Sequence, residues 1–393
     1  MEIKKGYKMT DVGVIPEDWE VKSIGEVLSI CNGMDYKHLN RGNYPVYGTG
    51  GLIARVDDFL FEGESVCIGR KGTIDTPIYL NEKFWTVDTL FYSINFVGVI
   101  PKFIYYIFNT IDWLSLNEAS GVPSLSKDNI KLQLIQIPNL SEQQAIADAL
   151  TKVDNLIMSL SKVIEKKKLI KKGTMQKLLS GEVRLNGFDM EWERKQIGKI
   201  GITYGGITGK NKSDFGHGTA KYITFLNVLN NPIINTKELE LVDISSSENQ
   251  NKAVKGDLFF NVSSETPEEV GICSVLLDDI NNLYVNSFCF GFRITDKEVS
   301  GIYLSYLFRT SLGRDKMSSI AQGATRYNLS KDYFNEIELT IPPTKAEQTA
   351  IAKVLTTMDD EIEALEKERD KYKCIKQGMM QQLLTGKIRL ICQ

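Results

Sequence analysis

Two stretches of the chain carry apolar residues in alternating steps of four and three. In the first these are Ile146, Leu150, Val153, Ile157, Leu160 and Ile164. In the second they are Ile351, Leu355, Met358, Ile362 and Leu365, after which the rhythm passes to Arg369 and Tyr372. That spacing predicts a narrow coiled-coil seam, not the wider stripe of a helix lying on its own domain. The first stretch opens Glu142-Gln143-Gln144-Ala145-Ile146-Ala147 and the second Glu347-Gln348-Thr349-Ala350-Ile351-Ala352. They close alike, on Leu178-Leu179-Ser180-Gly181 and Leu383-Leu384-Thr385-Gly386. A long, gap-free internal repeat of this kind marks one structural unit used twice.

The ends of both predicted helices are written in the sequence. Pro138, Pro342 and Pro343 stop anything helical upstream. Asn139 with Glu142, and Thr344 with Glu347, have capping-box spacing. Gly181 and Gly386 stand where a left-handed residue ends a helix. From Glu142 to Leu179 such a helix runs about 57 Å at ~1.5 Å per residue. A seam that long needs a partner, and the best partner is its own repeat. The first helix leads out of one globular region into another, and the second leads back, so connectivity makes the pair antiparallel with an approximate two-fold axis. The seam of the first helix is expected to end near Ile164, because Glu165-Lys166-Lys167-Lys168 and Lys171-Lys172 follow. An insertion there should lie clear of the packed heptads.

The rest of the chain alternates short strand-like runs with turns. The predicted fold class is α+β: two globular α/β domains joined by two long antiparallel spacer helices, over residues 1–136, 137–185, 186–340 and 341–393. In the first module Val66–Gly69 and Leu90–Ile94 read as strands, and Phe103–Phe108 as a buried helix. In the second, Tyr222–Leu226, Asp257–Val262 and Cys289–Ile294 read as strands, and Tyr303–Phe308 as the matching helix. Weak echoes link the two: Trp19 then Gly25, and Trp192 then Gly198; Gly121 before Leu125-Ser126, and Gly323 before Leu329-Ser330. The scaffold signals repeat and the loops between them do not.

Composition narrows the class. At 393 residues with 25% charged residues and a net charge of −3, the chain reads as an ordinary globular protein. No apolar run approaches the roughly 18 residues of a membrane span, and no secretory leader is visible, so a cytoplasmic location with no membrane partner is expected. The six cysteines show no CxxC or CxxH spacing and are expected to be buried free thiols. Only the first long helix is clearly basic, so any binding to nucleic acid must rest on local patches.

Motifs for catalysis are missing. There is no GxxxxGK[ST] phosphate loop, and Gly48-Thr49-Gly50-Gly51 reads as turn glycine. Asn230-Asn231-Pro232-Ile233 lacks the second proline and the aromatic of an amino-methyltransferase motif. His38 and His217, the only histidines, fall in different modules, so neither a zinc site nor a histidine triad is evident. Asp257, Glu265, Glu268 and Glu269 have no strand lysine beside them to suggest a nuclease. Metals and cofactors are expected to be absent.

Loops suited to reading DNA are present. Gly69–Thr73 carries Arg70, Lys71 and Thr73 on a glycine-flanked turn, with Arg41 and Tyr47 in the same module. Arg and Lys suit guanine O6 and N7 or phosphate, and Thr suits either. In the second module the candidates are Gln322, Thr325 and Arg326 in one stretch, Lys210, Lys212 and His217 in a glycine-rich loop, and Ser263 and Ser264 after a strand.

The whole arrangement resembles the specificity subunit of type I restriction–modification systems. The motifs that carry the resemblance are Gly13-x-Ile-Pro-x-x-Trp19, Tyr44-Pro45-Val46-Tyr47-Gly48-Thr49-Gly50-Gly51, Ile68–Thr73, Phe84–Tyr92, and the duplicated Pro138…Glu142-Gln143…Ile146-Ala147. The family implies two target-recognition domains on antiparallel spacer helices and double-stranded DNA as ligand. It also implies two docked methyltransferase subunits and optional restriction subunits. The second module lacks the Tyr-Gly-Thr-Gly-Gly and Gly-Arg-Lys-Gly loops, a departure that sets it in a different recognition subfamily. Competing readings are a stand-alone methyltransferase or nuclease, and a protein–protein scaffold.

Overall fold

The computed structural model describes residues 3–245 and 247–390. The chain forms two compact units, residues 1–162 with 366–393, and residues 163–365. Two long helices, Leu140–Ser180 of 41 residues and Lys345–Leu383 of 39 residues, run through both. Each unit therefore holds one globular module, the head of one long helix and the tail of the other. No helix among the described residues is long and apolar enough to cross a membrane.

The modules are built on one frame. In the first unit, strand Glu20–Ser23 pairs antiparallel with Leu134–Ile137, closing the module at its stem. Above it lies a six-stranded sheet in the order Ser29–Asn32, Leu90–Ile94, Phe61–Gly69, Ile78–Thr86, Arg41–Gly48, Gly51–Val56. In the second unit the stem is Glu193–Gln196 against Glu338–Ile341. Its four-stranded sheet runs Gly201–Gly205, Cys289–Ile294, Leu258–Asn261, Cys273–Val275. The first three strands of each sheet correspond, and so do the buried helices Pro101–Phe108 and Gly301–Arg309 that follow in sequence. The Trp-to-Gly echo belongs to this frame. Gly25 and Gly198 lie in short helices where a Cβ would come within 3.0 Å of Lys131 and 3.1 Å of Asn335.

Beyond the frame the modules diverge, and one predicted strand is corrected. Tyr222–Leu226 is not a single strand: the strand Phe215–Ile223 ends, and Thr224 caps a helix over Phe225–Asn230 by accepting from the Asn227 N–H at 3.2 Å. The cap outweighs the β-propensity of the aromatic and β-branched run. The thiols are corrected too. Cys67, Cys273 and Cys289 are buried, but Cys31 is half-buried and Cys374 is exposed on the second long helix. Cys392 lies outside the described residues.

The seam does not stop at Ile164. Lys167, Lys171, Thr174 and Leu178 continue the four–three steps, and all are at least partly buried. Arg369, Tyr372, Lys376, Met379 and Leu383 do the same on the second helix. Lys167 and Lys171 of the charged stretch belong to the packed interface, because both have partners across it. In the second unit Lys171 of the first helix pairs with Asp359 of the second. Asp359 also accepts from the Tyr306 hydroxyl at 2.7 Å, and the lysine lies 5.5 Å from that ring. The first unit repeats the arrangement with the helices exchanged: Lys376 meets Asp154 at 2.6 Å, and Asp154 accepts from the Tyr106 hydroxyl at 2.8 Å. Burial and the adjacent carboxylates raise both tyrosine pKa values. A polar contact at a seam position is satisfied in one register only, so these clusters fix alignment where apolar residues would slide. Within each unit the order of cross-helix contacts makes the pairing antiparallel.

The helix heads carry a second repeated cluster. Asn139 and Thr344 accept from the N–H groups of Glu142 and Glu347, at 2.9 and 3.4 Å, as the capping spacing requires. The glutamate carboxylates do not return to the cap. They turn inward, where Glu142 is 2% exposed and Glu347 1%. Glu142 accepts from Arg389 through Nε (2.7 Å) and Nη2 (2.8 Å), and from Trp19 Nε1 (3.1 Å). Glu347 accepts from Arg184 through Nε (2.7 Å) and Nη2 (2.9 Å), and from Trp192 Nε1 (3.3 Å). Arg389 and Arg184 lie just past Gly386 and Gly181. Both glycines have positive φ, +68° and +77°, which turns the chain back at each helix end. The paired carboxylates Glu142 and Asp18 raise the Arg389 pKa, and Arg389 lowers that of Asp18.

The neighbouring glutamines finish the joint. Gln143 accepts from Ile100 N–H (2.9 Å) and donates to Gly98 and Pro138 carbonyls (3.0 and 2.8 Å). Gln348 accepts from Ser300 N–H (2.8 Å) and donates to Glu298 and Pro342 carbonyls (3.1 and 2.8 Å). Each long helix is thus bolted to the start of its module's buried helix.

Removing one partner of a buried ion pair costs roughly 3–5 kcal/mol, because the other charge is stranded. Arg389→Met should therefore raise amide exchange around Trp19 and Glu142 and leave the second unit protected. Arg184→Met should do the reverse, around Trp192 and Glu347. Equal loss of protection in both units from either variant would show that the clusters are not local joints.

Candidate nucleic-acid interface

Three loops of the first module converge on one cleft. The turn Gly69–Thr73 is held from two sides: Arg70 N–H donates to the Thr89 carbonyl (2.8 Å), Gly72 N–H to Pro123 (2.9 Å), and Leu125 N–H to Arg70 (2.9 Å). The second loop, around Asp88 and Thr89, accepts the Arg70 guanidinium at 3.4 Å through the Asp88 carbonyl. The third, Asn117–Ser124, is clamped by the Asn117 side chain, which accepts from Ala119 and Ser124 N–H groups at 3.0 and 2.9 Å. Together they enclose about 990 Å³, with Arg70, Lys71, Asp88, Glu118, Ser124 and Lys127 in the wall. Arg70 and Lys71 are exposed on a backbone fixed on both sides, an arrangement that presents donors without a backbone ordering cost. Thr73 is exposed at the far end of the same turn.

The other candidates of this module stand apart. Arg41 lines a separate concavity of about 730 Å³ with Asn43, Leu52, Ile53 and Arg55. Tyr47 has its hydroxyl committed to Glu82 at 2.8 Å, and burial with that carboxylate pushes its pKa up to about 12. It links the strand Arg41–Gly48 to its neighbour Ile78–Thr86. The Gly48–Gly51 segment is a hairpin turn between two paired strands.

In the second module, Ser263, Ser264, Gln322, Thr325 and Arg326 come together. Ser263–Ser264 pairs with Tyr327–Leu329, and that strand pairs with Ala321–Gln322, so one small sheet carries both segments. Gly323, at φ +135°, makes the tight return: a Cβ there would lie 2.0 Å from the Arg326 carbonyl oxygen. Arg326 and the two serines line a cavity of about 430 Å³ with Phe225, Leu229, Glu265, Glu269 and Phe288. The adjoining loop Gly205–Lys210 lines a second cavity of about 480 Å³. Lys210 in that loop is paired with Glu248 at 2.6 Å, which raises the lysine pKa and holds the glutamate at about 2. Lys212 lies in a short 3-10 turn and His217 on the strand Phe215–Ile223, both exposed.

Two half-buried arginines stiffen the second site. Arg309 donates to the carbonyls of Val228, Leu229 and Asn231, capping the helix that carries Phe225 and Leu229. Burial lowers its pKa to about 10. Arg314 donates to Glu268 and Gly271 carbonyls and so fixes the loop that carries Glu265 and Glu269. Sequence reading missed Phe225, Leu229 and Phe288 here, and Glu118, Ser124 and Lys127 in the first module. The Gly121…Leu125-Ser126 and Gly323…Leu329-Ser330 echoes were the available signal: each precedes a serine-capped helix, and each places its loop in a recognition cavity.

The acidic residues do not assemble a reaction centre. Asp257 is 1% exposed and bound by Arg293 through Nε (3.0 Å) and Nη2 (2.7 Å) and by the Tyr204 hydroxyl (2.6 Å). It braces the sheet, apart from the Glu265–Glu269 loop. Among the described residues no group of three His, Cys, Asp or Glu side chains is placed to hold a metal ion.

Comparison with known proteins agrees with this duplicated plan. Residues 16–172 and 190–371 each match the type I restriction modification DNA specificity domain. A putative type I restriction enzyme MjaX specificity subunit of Methanocaldococcus jannaschii is 26% identical, over 98% of this chain and 97% of the relative. The MjaVIII specificity subunit of the same organism is 27% identical, over 96% and 94%. The crystal structure of a type I restriction–modification S subunit from M. genitalium superposes with a TM-score of 0.64 at 16% identity, covering 98% of both chains.

Proposed function

The chain belongs to the type I restriction–modification DNA specificity family, and from that premise we propose that its two modules read the two halves of a bipartite, asymmetric DNA site. The long helices set the gap between the halves. The observation that carries this reading is the pairing of one repeated frame with two unlike recognition cavities. A symmetric reader would need like surfaces; these two differ in charge, shape and apolar content. Arg70, Lys71 and Thr73 contact the first half-site, and Ser263, Ser264, Gln322, Thr325 and Arg326 the second. Arg41, Lys212 and His217 lie outside these cavities and are assigned to the DNA backbone.

Catalysis belongs to other chains in this reading. Two copies of a methyltransferase subunit dock on the repeated surfaces, flip the target base and transfer the methyl group. Restriction subunits join the same cytoplasmic assembly where the system has them. The weak net charge fits this division, since partners supply much of the phosphate binding.

Mapping of DNA methylation by the chain with its methyltransferase partner tests the assignment. Arg326→Ala should cost roughly 1–3 kcal/mol and relax sequence choice in one half-site only. Arg70→Ala should do so in the other half. Uniform weakening on all sequences would assign both residues to phosphate.

The gap has its own test. Four residues inserted after Lys172 would fall in packed seam beside the Lys171–Asp359 pair and disturb its alignment. One heptad inserted after Lys162 and another after Leu365 keeps the rhythm intact. Each adds about 10 Å of helix at ~1.5 Å per residue, so the gap should grow by about three base pairs at ~3.4 Å each. Unchanged spacing with activity retained would show that the helices do not set it.

A further inference from the structure

The second recognition cavity has a chemistry that the first lacks. Phe288 stands in its wall 56% exposed, between two strands and beside Arg326, Ser263 and Ser264. Its backbone is pinned: the Phe288 N–H donates to the Asn286 side chain at 2.8 Å, and its carbonyl accepts from Val262 N–H at 2.9 Å. Phe225 and Leu229 extend the apolar wall on a helix that Arg309 fixes from behind. Around this apolar surface stand a guanidinium on Arg326 and carboxylates on Glu265 and Glu269. An exposed aromatic ring on a pinned backbone, continuous with Phe225 and Leu229 and ringed by hydrogen-bonding groups, forms an apolar patch that a ligand would cover with a gain in free energy.

The major-groove edges of the base pairs differ in what they would offer this surface. Both A·T and G·C present acceptors for an arginine and an amino hydrogen for a carboxylate. Only A·T adds an apolar group, the thymine C5-methyl. The charged groups alone would not choose between the pairs; the aromatic ring does. We propose that this cavity reads the edge of an A·T pair, with Phe288 against the thymine methyl. Arg326 donates to adenine N7 or thymine O4, and Glu265 accepts from the adenine amino group. The proposal rests on the reading of the chain as a DNA-specificity subunit and names the base chemistry of its second module.

The test uses the complex of this chain with its methyltransferase subunits and duplexes carrying its mapped site. Each thymine of the half-site that depends on Arg326 is replaced in turn by deoxyuridine, which lacks only the methyl group. At one position binding should weaken about fourfold, the worth of one buried methyl. Phe288→Ala should weaken binding to the thymine duplex and remove its advantage over the deoxyuridine duplex. Phe288→Leu, which keeps an apolar contact, should retain part of it. No sensitive position, discrimination that survives Phe288→Ala, or a half-site without an A·T pair would each overturn the proposal. So would a Phe288→Ala chain that fails to assemble with its partner subunits, since that result places a protein on the surface. Failure of the unsubstituted complex to prefer its mapped site over a scrambled duplex would instead overturn the DNA-specificity reading beneath it.

Discussion

Each globular module is anchored by a buried glutamate at the head of one long helix that binds an arginine from the tail of the other. Trp19, Glu142 and Arg389 join three distant parts of the sequence in the first unit, and Trp192, Glu347 and Arg184 do so in the second. The carboxylates are almost wholly buried, so the ionic contact is stable only while the tryptophan, the arginine and the returning chain are all in place. The turn at Gly181 or Gly386 aims the arginine, and the adjacent glutamine carries the constraint into the module. A recognition loop is only as well placed as the stem beneath it, and this joint ties the stem to the helices.

The Lys–Asp–Tyr clusters act further along the same helices. A seam of apolar side chains alone tolerates slippage by a heptad, whereas Lys171, Asp359 and Tyr306, with their counterparts Lys376, Asp154 and Tyr106, match in one alignment. Joint and register together fix how each reading surface sits on the helix segments of its own unit. The recognition loops can then vary freely, and they do: a charged cleft in the first module and an aromatic-walled cavity in the second stand on the same frame.

Much of this was legible in the sequence. The four–three rhythm, the prolines, the capping residues and the closing glycines placed both helices and their antiparallel pairing, because those signals are local and periodic. The joint was not legible. Arg184 and Arg389 look like ordinary helix-tail cations, and their partners lie 163 and 247 residues away. The charged run after Ile164 suggested the end of the seam, because a lysine at a seam position reads as exposed until its aspartate and tyrosine are known. Arg70 and Lys71 stood out, as did the Gln322–Arg326 loop, since glycine-flanked cations signal a presenting turn. Phe288 did not, because a single aromatic between strands reads as core. Tyr47 stood out as well, and its donated hydrogen bond to Glu82 was not legible, because that partner lies 35 residues away.

The most direct measurement replaces one module with a copy of the other. The stems give the boundaries: residues 193–341 exchanged for 20–137, so that paired strands enter and leave at each joint. Methylation mapped with this chain and its partner should show a bipartite site whose two halves read alike, both matching the first half of the native site. Persistence of the native second half-site, in a chain that no longer contains the second module, would contradict the division of reading between the two modules.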